Sequence, residues 1–214
     1  MEKLHKTRAI VLRKKEWRES DLLFSLFTKD FGKIKAIATG SRKIRSKLIG
    51  HLSNFGVIEL IFVKGKTFNR ITHSYLVDAK YFDEASFKYL SVVQELLDAS
   101  LQQELKVEEI WKMTRWVQDQ IQKTEDKTRE VLLNIYILKL LKYLGYKIDT
   151  ENKRYNQEIG IRVSEHLIEL IKKIQDNKSP DFSINLKDNV ELSIFLKKYV
   201  RYFFEKDIKS LRML

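Results

Sequence analysis

Cysteine is absent from this 214-residue chain, which excludes disulfides, thiolate metal sites and cysteine nucleophiles. Proline occurs once, at Pro180, and no Gly/Ser/Pro linker or low-complexity tract breaks the chain. The four histidines, His5, His51, His73 and His166, are scattered without metal-ligand spacing. No glycine-rich loop ending in Lys-Ser/Thr is present, which argues against ATP hydrolysis, and no nucleophile motif appears. No cofactor or metal is expected, and the expectation is a protein that is not an enzyme. The longest apolar stretch, Val131 to Tyr146, is interrupted by Asn134, Lys139 and Lys142. It is too short and too polar to span a bilayer and reads as a central, largely buried helix. The opening residues, Met1 to Lys6, lack the apolar run of a signal peptide, so a cytoplasmic location is expected.

What the chain does have is positive charge, unevenly spread. Residues 1–80 hold 18 Lys+Arg against 7 Asp+Glu, a balance of +11 out of the chain's +12. The remaining residues are near neutral. Hydrophobic content of 43% is enough for a core, so this is not a disordered basic tail. A basic module joined to a near-neutral body suggests a polyanion grip on a docking platform.

The two regions also differ in period. Residues 8–14, 22–28, 33–39, 55–63 and 68–77 read as strands. Asp30-Phe31-Gly32 and Lys64-Gly65-Lys66 read as turns, and five of the seven glycines fall in residues 32–65. From Asp83 onward the apolar residues follow helical spacing: Phe87, Leu90, Val93, Leu97 and Leu101, then Ile110, Met113, Val117 and Ile121. Further helices are expected at 126–144, stopped by Gly145, at 164–175, and from about Asp188, where Asp188 and Glu191 resemble a capping box. The fold class is therefore α+β: a five-stranded β module over 1–80 and a helical domain over 81–214. The strand count suits an OB-fold, with another small barrel or an SH3-like module as the alternative.

The densest cationic segment runs from Gly40 to Leu48 and carries Arg42, Lys43, Arg45 and Lys47 with two serines, a composition suited to phosphates. Arg13, Lys14, Lys15, Lys33, Lys35 and Arg70 are further candidates for contact with nucleic acid, with Arg18, Lys64 and Lys66 in the same module. Trp17, Phe31, Phe68 and Tyr75 are candidates for stacking on bases. A rival reading places a divalent metal on Glu16, Glu19 and Asp21, as in a nuclease; another is an OB-fold that binds RNA.

Three segments, taken in order, resemble the RecO recombination-mediator family. The first is Ala9 to Leu12 with Glu19-Ser20-Asp21-Leu22-Leu23, Phe27-Thr28 and Gly32; the second is Gly40 to Leu48 with Leu52 and Phe55. The third is the ending Asp207 to Leu214, and Leu144-Gly145-Tyr146 also fits. The resemblance implies an N-terminal OB-fold and a helical domain. It also implies binding of single- and double-stranded DNA, strand annealing, and loading of recombinase onto strands coated by single-strand-binding protein. The partners it implies are RecR and the acidic tail of single-strand-binding protein. An apolar groove beside cations would take that tail, with Tyr136, Lys139, Leu140, Lys142 and Tyr143 as candidates. Many relatives carry a cysteine zinc module after the Leu-Gly-Tyr; here residues 147–161 contain no cysteine.

Overall fold

The computed structural model describes residues 3–41, 50, 52, 55–78, 83–151, 160, 163–177, 184–205 and 207–213. Strands β1 (Leu4–Glu16), β2 (Leu22–Thr28), β3 (Gly32–Ala38), β4 (Val57–Val63) and β5 (Asn69–Asp78) come first. Helices α1 (Glu84–Ser100), α2 (Glu108–Lys123), α3 (Asp126–Tyr143), α4 (Glu165–Asp176) and α5 (Leu186–Phe204) follow, with a 3-10 turn at Lys209–Met213. The expected α+β order holds.

The strands close into a barrel in the order β1-β2-β3-β5-β4. All pairings are antiparallel except β3 with β5, which is the strand order and sense of an OB-fold. Strand alternation puts Ala9, Val11, Phe24, Leu26, Ile34, Ala36, Ile58, Leu60 and Phe62 inside. Burial of each large member contributes about 1.5–3 kcal/mol. β1 is longer at both ends than the apolar run suggests. A bulge between Val11 and Arg13 lets it keep pairing with β2 out to Glu16, after its pairing with β4 has ended at Ile10.

The chain divides into two compact units: residues 1–81 with 94–111, and residues 82–93 with 112–214. In the first unit, residues 94–111 lie against the outer face of the sheet. Gln94 donates to the Val11 carbonyl (2.8 Å), Trp111 packs on Phe27 (5.4 Å between rings), and Asp98 accepts from the Ser25 hydroxyl (2.6 Å). Asp98 also pairs with the Lys33 ammonium at 3.1 Å, and Lys33 donates to the Asp98 backbone carbonyl.

In the second unit, α3 is the central helix. Residues 133–141 are all buried, so the helix has no solvent face over that stretch. Its polar groups are paired: the Tyr136 hydroxyl bonds Thr114 (3.0 Å) and Asn134 donates to Asn189 (2.8 Å). Gly145 ends α3 at φ 86°. Its N–H bonds the Lys142 carbonyl and that of Tyr146 bonds the Leu141 carbonyl, the double C-terminal cap in which glycine is favoured. The expected capping box moves by one turn. Asn185 caps α5 and exchanges bonds with Asp188, while Glu191 instead accepts from Ser164 (2.8 Å).

Two predictions follow from these contacts. Lys33→Met leaves Asp98 in a largely covered site without its cation, so unfolding in denaturant should show a loss of roughly 2–3 kcal/mol. A loss under about 0.5 kcal/mol would mark the pair as solvated. Asp83 accepts from the Ser86 hydroxyl and N–H and from Arg129, and these bonds lower its carboxyl from 3.8 to about 2. A depressed carboxyl stabilises above its unfolded value, and that contribution fades as pH falls toward the folded one. The Tm gap between the native protein and Asp83→Asn should therefore be full above pH 4 and close by about pH 2.

Candidate nucleic-acid interface

Two loops meet at one side of the barrel. The β1–β2 loop spans 17–21 and the β4–β5 loop spans 64–68. The Trp17 and Phe68 rings pack edge to face at 5.0 Å and 76°. Trp17 stays 40% exposed, and Lys15 holds its ammonium 5.6 Å from the indole centroid. Arg18, Lys64 and Lys66 are exposed on the same two loops. An exposed indole braced by a second ring, with Lys15 beside it and further cations on the same loops, can stack on a base while those cations neutralise its phosphates.

Arg13, Lys14 and Lys15 are exposed at the end of β1 but do not share a face. Arg13 and Lys15 stand opposite Ser25 and Leu23, and Lys14 stands opposite Phe24. Lys35 stands across Ser25 from Arg13, roughly 10 Å away by strand spacing, and is exposed. Arg70 is exposed beside Ile37, where β3 meets β5. Lys33 does not belong with them: it is buried and committed to Asp98. Arg42, Lys43, Arg45 and Lys47 lie outside the described residues. The glycine that leads into them, Gly40, has φ 64° and donates its N–H to Asp21 (2.8 Å), which ties it to the β1–β2 loop.

That bond also separates Asp21 from the set Glu16, Glu19 and Asp21 proposed for a metal. Asp21 is buried and holds a turn, while Glu16 and Glu19 are exposed. Among the described residues no group of three His, Asp or Glu could hold a metal ion. Of the other stacking candidates, Tyr75 is half exposed and lies parallel to His73 (6.4 Å). Phe31 packs at right angles to Phe62 (5.4 Å).

The groove expected around the centre of α3 is not there. Tyr136 and Leu140 are core, and Lys139 is buried with its ammonium on the Asn177 carbonyl (2.8 Å). Burial, then the neighbouring Lys142, lowers the Lys139 ammonium below the usual lysine range. Lys142, itself exposed, donates to the Gln175 carbonyl (2.5 Å), so both lysines satisfy carbonyls at the end of α4. Of the five candidates, Lys142 and Tyr143 alone are exposed. The apolar run Val131 to Tyr146, which reads as a largely buried helix, already carried this signal.

Sequence reasoning missed a pocket of about 190 Å³ in the second unit. Val200, Ile208 and Leu211 form its apolar part. Lys197, Arg201 and Arg212 surround it, with Asp207 paired to both arginines. Arg212 lies in the Asp207 to Leu214 segment that carries part of the family resemblance.

Residues 1–79 match the family profile described as "Recombination protein O N terminal", and residues 83–153 match "Recombination protein O C terminal". Three similar curated proteins are each named DNA repair protein RecO. That of Clostridium novyi is 32% identical over 156 residues, which is 69% of this chain and 59% of the relative. That of Dehalococcoides mccartyi is 26% identical over 237 residues, 96% of this chain and 93% of the relative. That of Syntrophomonas wolfei is 32% identical over 144 residues, 66% of this chain and 57% of the relative. In the first and third alignments the chain thus spans under two thirds of the relative's length. With both halves matched in order, and with the barrel topology and basic loops described above, the chain belongs to the recombination protein O (RecO) family.

Proposed function

We propose that this protein acts in DNA repair as a non-enzymatic mediator. Its barrel binds single- and double-stranded DNA, brings complementary strands together, and helps load recombinase onto strands coated by single-strand-binding protein. The names of its relatives support the repair role. The observation that carries the DNA reading is the Trp17–Phe68 pair with Lys15 on the two loops of a strongly basic OB barrel. Annealing follows from charge: cations on the barrel offset the phosphates of two strands and reduce the repulsion between them. The residues proposed to contact DNA are Arg13, Lys14, Lys15, Lys35 and Arg70, with Arg42, Lys43, Arg45 and Lys47 from the sequence, and Trp17 for stacking.

The proposed protein partners are RecR and the acidic tail of single-strand-binding protein. For the tail, the pocket bounded by Lys197, Arg201 and Arg212 replaces the buried centre of α3. Its apolar floor suits an apolar residue and its cations suit acidic neighbours.

Fluorescence titration of a labelled single strand tests the first part. With about 4–6 phosphates neutralised, log K should fall against log salt with a slope of roughly −3 to −4. Trp17→Ala should weaken binding by about 1–3 kcal/mol with little change in that slope. A flat salt dependence would sink the phosphate grip, and stronger binding to RNA in competition would redirect it. For the tail, the double variant Lys197→Glu/Arg212→Glu should weaken a labelled acidic peptide about tenfold or more, the loss of two charge-assisted contacts, while DNA affinity changes less. An unchanged peptide affinity would remove this pocket from consideration.

A further inference from the structure

A second cavity, of about 150 Å³, opens in the first unit at the foot of the β4–β5 loop. Phe31, Ile34 and Phe62 form its apolar wall. Asp30, Lys64, Asn69 and Glu104 supply its polar groups. We propose that this cavity is a subsite for one unstacked nucleobase of a bound single strand, with guanine preferred. The inference rests on the DNA-binding reading above and adds base selectivity to it.

The wall is rigid. Phe31 meets Phe62 at 86° and His5 at 83°, and His5 stacks on Phe62 at 5.3 Å. Phe31 is only half buried, so part of its ring remains available to a base. The rim is held as firmly. Glu104 has φ 60°, a costly backbone region for a residue other than glycine, and its N–H donates to the Lys33 carbonyl (2.9 Å). Next to it, the Leu105 carbonyl lies 2.3 Å from where a side chain on Gly32 would begin, so only glycine admits this segment against β3. The Glu104 carboxylate is thus presented from a clamped backbone.

The polar groups choose among the bases. Asp30 and Glu104 are acceptors, and Asp30 accepts from the Thr7 hydroxyl (2.6 Å) through one of its two oxygens. Asn69 donates its amide N–H to the Lys35 carbonyl (3.2 Å), which leaves its amide oxygen as a third acceptor. Lys64 is the donor. The site therefore offers several acceptors and one donor. The Watson–Crick edge of guanine offers the complement: two adjacent donors, N1–H and N2–H₂, and one acceptor, O6. Thymine has one donor between two acceptors, and cytosine and adenine each present a single donor group. A carboxylate that takes both guanine donors makes a bidentate contact. The Lys64 ammonium can serve O6 or the flanking phosphate. The two carboxylates also argue against a phosphate inside the cavity, so the base and not the backbone enters it.

The test is fluorescence anisotropy of the full-length protein with a dT 12-mer, and with the same strand carrying one central dG, dA or dC. At fixed salt the dG strand should bind roughly 5- to 10-fold tighter than all-dT, the lower end of bidentate base discrimination. Glu104→Gln should erase that difference, while the all-dT affinity holds or rises slightly because an acidic charge beside the strand is removed. Lys64→Met, on an exposed loop, should reduce the preference independently. Equal affinity for all four strands, or a dG preference that survives Glu104→Gln, overturns the subsite while leaving general DNA binding intact. No binding to any strand overturns the DNA reading and this subsite with it.

Discussion

Two residue pairs close the barrel, Ala36 with Asn69 and Ile37 with Arg70. Everything proposed for the first unit depends on that short parallel contact. β2, β3 and β1 could pair locally through short turns, and β4 with β5 likewise. With β1 also paired to β4, the β3–β5 contact, helped by the Asn69 bond to the Lys35 carbonyl, completes the barrel and brings the β4–β5 loop over to Trp17. Without it Phe68 would have no indole to brace. Lys64 and Asn69 would not face Phe31. Barrel closure also removes the open strand edges that would otherwise pair with other chains.

The outer face of the sheet is then sealed by residues 94–111, which the helical period assigned to the helical region. The seal is a mixture of kinds of contact: the Phe27–Trp111 rings, the Gln94 bond to the Val11 backbone, and the Lys33–Asp98 pair. A cation inside a contact of this kind is costly unless paired, so Lys33 and Asp98 depend on each other. The same segment delivers Glu104 to the rim of the second cavity, which links packing on the barrel to a feature that can read a base.

Charge in this molecule serves two ends that look alike in the sequence. Lys35, Arg13 and the loop cations point to solvent and remain available to a polyanion. Lys33, Lys139 and Arg129 are buried and spend their charge respectively on Asp98, on a helix-end carbonyl, and on Asp83 together with the Ile121 carbonyl. The balance of the first 80 residues is thus an overcount of the grip by at least one, while its sign and location are unaffected.

The strands, helices, turn glycines and the α+β order could be read from the chain, because period and capping are local. The basic character of the first 80 residues was equally legible. Strand period alone put Lys33 and Lys35 on one face and could not separate them; the difference is that Asp98 covers one and solvent the other. Tyr136, Lys139 and Leu140 are sequence candidates for a partner groove, yet residues 133–141 of α3 are buried all round and offer no open face. Local pattern settles which residues form an element and which way they alternate. Which face stays wet, and which distant loops meet, is decided by what packs against what, and that is why Trp17 with Phe68 and Phe31 with Glu104 became neighbours only in three dimensions.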